Sequence, residues 1–181
     1  DLEKIANHRG SAFGKNISEQ PSQANFENVI TDKYLNHIHS QIYIEDESRT
    51  IGRVTLPESW YKKMQSSDLI ILEISNDERI QNILDEYVFQ AIKKFSNSDE
   101  LLKQYLLSLE KIKKRLGVDL FKKISSLMIE AFNKNKNHED WISKLLMTYY
   151  DPMYNYKLSL RKKYITHIGD YKSCYQFLEA S

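Results

Sequence analysis

The chain is poor in the residues that cross-link or interrupt a polypeptide: one cysteine, three prolines and five glycines in 181 residues. A lone Cys174 excludes a disulfide framework and a thiolate metal cluster. No apolar run approaches the roughly 18 residues of a membrane-spanning helix, and no secretory leader stands before Asp1, so a cytoplasmic protein without a membrane partner is expected. The phosphate-binding string Gly-x-x-x-x-Gly-Lys-Ser/Thr is absent. Its nearest approach, Gly10-Ser11-Ala12-Phe13-Gly14-Lys15-Asn16, has glycines one residue too close and an amide where the hydroxyl belongs. Nothing orders a serine, a histidine and an acid into a triad. His37-x-His39 supplies two imidazoles without a third ligand, which suits an exposed helix end better than a metal site, and no metal is assigned.

With 41% hydrophobic and 28% charged residues, the chain can build a core and remain soluble. Its length fits one domain, or one domain with an appendage. The net charge of +1 is unevenly placed: residues 1–90 hold 9 Lys/Arg against 15 Asp/Glu, residues 91–136 hold 11 against 5, and residues 137–181 hold 6 against 5. A basic middle beside an acidic first half suits a phosphate-rich partner, or simply helices with solvated lysine faces.

Ser22 reads as the cap of a helix reaching about residue 39, with Phe26, Ile30, Tyr34 and His37 on one face. Residues 41–45 (Gln-Ile-Tyr-Ile-Glu) read as a buried strand that ends in Glu45, Asp46, Glu47, Ser48 and Arg49. Pro57 opens a short helix, and residues 69–74 make the second strand. Asn76 caps a helix whose apolar face is Ile80, Ile83, Leu84, Tyr87, Val88 and Ala91. Arg79, in its first turn, either points back to the sheet edge, where ligands collect, or pairs with Asp77 or Asp85.

Beyond residue 95 the pattern is nearly all helical. Ser98 caps a helix with Leu101, Tyr105, Leu109, Ile112 and Leu116 inward, closed by Gly117. A second helix carries Leu120, Ile124, Leu127 and Ala131 and breaks over residues 133–137. A third spans 139–150, and Asp151-Pro152 starts a fourth. Residues 164–168 read as one last strand, followed by a Gly169-Asp170 turn and a short helix from Ser173. The prediction is an α/β core over residues 1–92 and a mainly helical extension over 93–181 that returns one strand to the core. With no initiator Met and with Asp-Leu-Glu reading as the tail of a strand, the chain is expected to begin partway through a domain.

Residues 1–14 have the composition of a ligand loop. Gly10 and Gly14 allow close backbone approach, Arg9 offers a planar fork of donors to phosphate or carboxylate, and Ser11 with neighbouring N–H groups could complete an anion nest. The alternative, an irregular loop with Arg9 paired to Asp1 or Glu3, stays open. Together with Gln20-Pro21-Ser22-Gln23, Phe26-Glu27-Asn28, Ile44-Glu45-Asp46-Glu47-Ser48-Arg49-Thr50-Ile51-Gly52, Leu56-Pro57 and Met64, this stretch resembles the C-terminal P-loop domain of tRNA 2-selenouridine synthases. The match is dense to Tyr87 and thin beyond, where Tyr149-Tyr150-Asp151-Pro152-Met153-Tyr154 is the main echo.

The resemblance implies a P-loop NTPase-like, mostly parallel sheet that lacks its first strand and phosphate loop here. It also implies that a rhodanese-like and P-loop segment is supplied in cis or as a separate chain. That family replaces the sulfur of wobble 2-thiouridine in tRNA with selenium, using selenophosphate and geranyl diphosphate through an S-geranylated intermediate. Mg²⁺ and a nucleotide are further ligands the resemblance admits, and none is read from the residues themselves. On this reading Asp1, Glu45 and Glu47 are catalytic. Asn7, His8, Arg9, Gly10, Ser11, Ser48, Arg49, Arg53 and Arg79 bind the phosphorylated ligand, the arginines neutralising developing charge. The basic region from Lys93 to Lys123, above all Lys111, Lys113, Lys114, Arg115, Lys122 and Lys123, holds the tRNA backbone. Two other readings remain: a tRNA-binding or complementing module without chemistry, and a relative of the P-loop nucleotide kinases.

Overall fold

The computed structural model describes residues 1–95, 97–134 and 137–180 and divides into two units, Asp1–Ser67 and Asp68–Ser181. In the first, Asp1 does not end a strand. Its carboxylate accepts from the Lys4 N–H at 2.7 Å and caps a one-turn helix α1 (Leu2–Ala6), which Asn7 closes in the left-handed region at φ 49°. An acid at this position satisfies an orphan donor of the first turn, which outweighs the short strand-like reading of Asp-Leu-Glu. Helix α2 (Gln23–Leu35) is capped by the Ser22 hydroxyl as predicted, and buries Phe26 and Ile30. It stops short of residue 39, where Asn36 folds its amide back onto the Asp32 carbonyl, and Tyr34 is left 55% exposed.

Residues 41–45 depart from expectation. They join neither sheet, and Ile42, Tyr43 and Ile44 are exposed. A strand exists only where another strand meets its N–H and C=O groups, and among the described residues none pairs with this segment. Instead β1 (Thr50–Ile51) and β2 (Val54–Thr55) form a small antiparallel hairpin. Its two-residue turn places Gly52 at φ 63°, the conformation such a turn demands. Helix α3 (Glu58–Gln65) follows Pro57. Leu2, Ala6, Phe26, Ile30, Ile51, Val54, Leu56 and Met64 form the core of this unit, with Ile5, Trp60 and Tyr61 packed against it.

The second unit opens with β3 (Leu69–Leu72), which pairs in parallel with β4 (Ile165–Gly169), Ile70 opposite His167 and Leu72 opposite Gly169. The returning strand is therefore present. Its pairing draws β3 into the helical part, so the units divide before residue 68, whereas the composition changes near residue 92. The architecture is α/β with helices dominant, and among the described residues strands form one antiparallel hairpin and one parallel pair, not a mostly parallel sheet.

Helix α4 (Asn76–Ile83) is capped by Ser75, one residue before the expected Asn76. A π-helical turn over Leu84–Phe89 carries it into α5 (Gln90–Lys94). Helix α6 (Ser98–Leu116) is capped by Asn97, again one residue earlier than expected, and ends at Gly117 with φ 80°. Every residue of its predicted inward face is buried. After the single-residue link, α7 (Val118–Lys134) packs back onto it with Ile124, Met128 and Ala131 buried. Two residues of the predicted break, 135 and 136, lie outside the described residues.

No break occurs at Asp151. Helix α8 (Glu139–Leu145) continues through a π-helical turn, Leu146–Tyr150, into α9 (Asp151–Leu160). The widened turn disturbs the regular bonding just where Pro152 lacks an N–H, so the proline rides in the helix instead of starting a new one. A 3₁₀ turn (Lys162–Tyr164) precedes β4, and α10 (Tyr171–Ala180) closes the chain behind an Asp170 cap. Among the described residues no helix is long and apolar enough to cross a membrane.

Candidate functional site

The 7–14 loop is built by its own polar groups. The Asn7 amide donates to the Ser18 carbonyl (3.1 Å), the Ser18 hydroxyl (2.8 Å) and the Glu19 carbonyl (3.0 Å), and accepts from Asn16 at 2.9 Å. Asn7 therefore ties the loop shut. The main chain is similarly engaged: Arg9 N–H donates to Gly14 O, Ser11 N–H to Arg9 O and Gly14 N–H to Ser11 O, while the Ser11 hydroxyl accepts from Phe13 N–H. Those N–H groups point inward, so an anion role for this loop rests on the half-buried Arg9 guanidinium.

Two of the acids predicted to stand at a strand end, Glu45 and Glu47, meet the start of α1 and the Gly10 turn instead. Glu45 accepts from Leu2 N–H at 2.9 Å, holding the start of α1, and Glu47 N–H donates to Glu45 O at 2.8 Å across a tight turn. Gly10, at φ 61°, sits directly beside the Glu47 carboxylate, and a Cβ there would lie 2.5 Å from its nearest oxygen. Asp1, Glu45, Glu47 and Gly10 thus lie in one corner of the first unit. His8 lies across from Gly52, where a side chain on the glycine would overlap the imidazole and the Gln20 amide.

Two glutamines proved central that residue chemistry alone did not single out. Gln20 donates to the Ala6 carbonyl (3.0 Å) and the Ile51 carbonyl (2.9 Å) and accepts from Arg53 N–H (2.8 Å). Gln23 meets the backbone of Thr55 with both ends of its amide, at 2.7 and 2.9 Å. Their only signal was their place in the quoted Gln-Pro-Ser-Gln string. Arg53 binds the Gln20 carbonyl and approaches Glu19 at 3.5 Å, and Arg49 approaches Glu58 at 4.0 Å. Both are exposed, as is Ser48.

Beside the acidic corner opens a cleft of about 540 Å³, lined by Asp1, Leu2, Ile5, Ile30, Tyr34, Trp60 and the segment 39–44. Tyr34 and Trp60 meet edge to face at 5.4 Å within it. The exposed residues 42–44 make one wall, so the segment mistaken for a strand has a place in the site. His37 and His39 also line the cleft, their rings 5.4 Å apart. Among the described residues no group of three or more His, Cys, Asp or Glu side chains is gathered for a metal ion.

Arg79 belongs to the second unit, and its partner is neither Asp77 nor Asp85. It forms a two-pronged ion pair with Asp151, whose Oδ2 lies 3.3 Å from Nη1, and donates to Asn76 at 3.2 Å. The pair clamps α4 to the α8–α9 helix, helped by Gln81 reaching Glu139 at 3.3 Å. Lys111, Lys114, Arg115, Lys122 and Lys123 are exposed at the α6–α7 turn. Lys113 instead binds Glu110 at 2.8 Å and covers the Phe121 ring at 4.5 Å. Burial lowers the pKa of His138, whose Nδ1 accepts from the Trp141 indole N–H at 3.1 Å.

Comparison with known proteins converges on one group. The family model described as the tRNA 2-selenouridine synthase AAA domain matches residues 1–181. The tRNA 2-selenouridine synthase of Shewanella sp. (strain ANA-3) is 42% identical over 99% of this chain and 53% of its own length. The Shewanella oneidensis protein of that name is 40% identical over 99% and 52%, and that of Marinobacter nauticus 40% over 90% and 48%. The chain thus spans about half the length of the curated relatives it matches. No solved structure matches it.

Proposed function

Because the chain belongs to the tRNA 2-selenouridine synthase family, we propose that it is the part of such an enzyme that takes up the phosphorylated ligand and the tRNA. The reaction it serves is the exchange of sulfur for selenium in wobble 2-thiouridine. The observation that carries this reading is an apolar cleft lined by Asp1, in the same unit in which Glu45 holds the start of α1 and Glu47 lies against Gly10.

A geranyl diphosphate has two chemically opposite ends. A branched hydrocarbon suits walls of Leu2, Ile5, Ile30, Tyr34, Ile42 and Trp60, and a cleft of about 540 Å³ has room for it. The diphosphate needs cations at its departure, because negative charge gathers there as the allylic carbon passes to the thiocarbonyl sulfur. Arg9 is the cation in the loop, with Arg49 and Arg53 exposed in the same unit. Asp1 and Glu45 act as positioning carboxylates, since both hold the first turn of α1. Glu47, beside the Gly10 turn, is the carboxylate left to take or give a proton. The clamp of Arg79 by Asp151 favours a structural role for that arginine over a ligand role. Exposed cations at the α6–α7 turn supply the RNA phosphate contacts.

Calorimetric titration of the 181-residue chain with geranyl diphosphate tests the ligand half. Saturable binding is expected, with Arg9→Ala weakening geranyl diphosphate at least ~10-fold while leaving geraniol unaffected, as loss of a charge-assisted contact predicts. Absence of saturable binding, or equal affinity of the variant, would overturn the assignment.

A further inference from the structure

Helix α9 is anomalous in a different way from the cleft. None of its residues is buried, yet it carries Met153, Tyr154, Tyr156 and Leu160, all exposed. The rings are not equivalent. Tyr154 lies almost parallel to Tyr150, 22° between planes and 6.3 Å between centroids, so its ring is backed by a second, half-buried one. Tyr149 meets Tyr150 edge-on at 5.0 Å, and its hydroxyl receives Arg115 of α6 at 3.5 Å. The stack is thereby joined to the basic α6–α7 turn. Tyr156, two residues on, projects from the opposite side of the helix and has no such backing among the described residues.

Along its own stretch of chain the stack is flanked mainly by positive charge. Between residues 141 and 169 the only acid is Asp151, already paired with Arg79, while Lys144, Lys157, Lys162 and Lys163 are at least partly exposed. Lys157 stands one turn along from Tyr154, and Lys163 covers the Tyr164 ring at 4.9 Å. A flat ring held in place by another and flanked by cations is how proteins grip unpaired nucleotides, stacking on the base while the cations take its phosphates. A protein groove would call for an apolar stripe without this excess of charge.

We infer that Tyr154, backed by Tyr150, is a stacking platform for an unpaired RNA base, with Lys157 and Arg115 contacting the adjoining phosphates. The inference rests on the RNA half of the function proposed above and adds to it a requirement for single-stranded RNA at this helix. It also has a chemical use, since a base whose C2 substituent is to be exchanged must leave its stack to be reached.

Fluorescence anisotropy with the 181-residue chain separates the possibilities, using an RNA hairpin with an open loop and a blunt duplex of the same stem. Tyr154→Ala is expected to weaken hairpin binding ~10-fold without altering its salt dependence, because stacking releases no counterions. Tyr154→Phe should bind like the parent, and Tyr156→Ala likewise. A 2-aminopurine placed in the loop should be quenched by the parent chain and not by Tyr154→Ala. Unchanged affinity of Tyr154→Ala, equal loss on the duplex, or failure of the Phe variant would each overturn the platform. If Tyr154→Ala instead abolishes self-association in sedimentation at unchanged RNA affinity, the face is a protein contact and the platform falls. Should Lys114→Gln and Lys122→Gln flatten the salt slope while Tyr154→Ala is silent, only this inference falls. If the parent chain binds neither RNA, the RNA half of the proposed function falls with it.

Discussion

The two units of this chain are held together by different physics. In Asp68–Ser181 the long helices α6 and α7 bury a stripe every third or fourth residue, and Tyr105, Phe132, His138 and Trp141 close an aromatic ring system around it. In Asp1–Ser67 the elements are short, and its small core is supplemented by amides that reach across the chain to main-chain groups. The candidate ligand corner lies in the second kind of structure. A site made of loops needs its backbone fixed by something other than a continuous ladder, and the side chains of Asn7, Gln20 and Gln23 do that fixing.

The contrast can be broken most sharply at Leu109, which is fully buried on α6. Leu109→Ala should destabilise the second unit by about 3 kcal/mol through lost burial and a residual cavity. The chain has two tryptophans, Trp60 in the first unit and Trp141 in the second, so urea unfolding followed in Trp60→Phe reads the second unit alone. A shift below about 1 kcal/mol would mean the stripe is not the main support.

Gln20→Ala is the counterpart in the first unit. It leaves the Ala6 and Ile51 carbonyls and the Arg53 N–H without their amide, and a loss of about 2 kcal/mol is expected. Unfolding should be read at Trp60 in Trp141→Phe. A Gln20→Glu chain, which restores the acceptor and not the donor, should recover only part of it. Equal stability of all three chains would show that the loop does not depend on the tie.

The smallest effect concerns His138. Its folded pKa is depressed by burial, so the neutral form is native. As pH falls through about 6.5 the unfolded chain takes up a proton that the folded chain still resists, and stability declines until the folded pKa is reached. Above pH 7 this group contributes no slope. Comparing urea midpoints at pH 7.5 and 5.5, His138→Gln should lose less stability on acidification than the parent. An identical loss would remove His138 as a source of the pH dependence.

Much of the second unit was legible because helical period and burial agree. Leu101, Tyr105, Leu109, Ile112 and Leu116 could be assigned from spacing alone, and Gly117 marked the end at a positive φ. Residues 41–45 misled for the opposite reason: alternating β-branched and aromatic residues state a preference, while a strand needs a partner that local sequence does not name. The break expected at Asp151-Pro152 failed similarly. A π-turn can absorb a proline, and the turn's existence depends on the packing of α8 and α9. At the candidate site the family resemblance named Asp1, Gly10, Glu45 and Glu47, and only the folded chain set the Glu47 carboxylate against Gly10 and Glu45 at the start of α1. The resemblance did not reveal that Asn7 and the loop N–H groups face inward, because donor direction depends on loop closure.

What the sequence determined by itself is whatever depends on neighbours a few residues away: helix faces, the Ser22 cap, the Gly117 helix end, the charge gradient and the family. The tertiary structure decided everything that joins distant residues. It made Asp151 the partner of Arg79 across 72 positions, brought Ile165–Gly169 beside Leu69–Leu72, and placed the Glu47 carboxylate against Gly10. Such contacts are chosen by which surfaces must leave water together, a property of the folded chain and of no single segment.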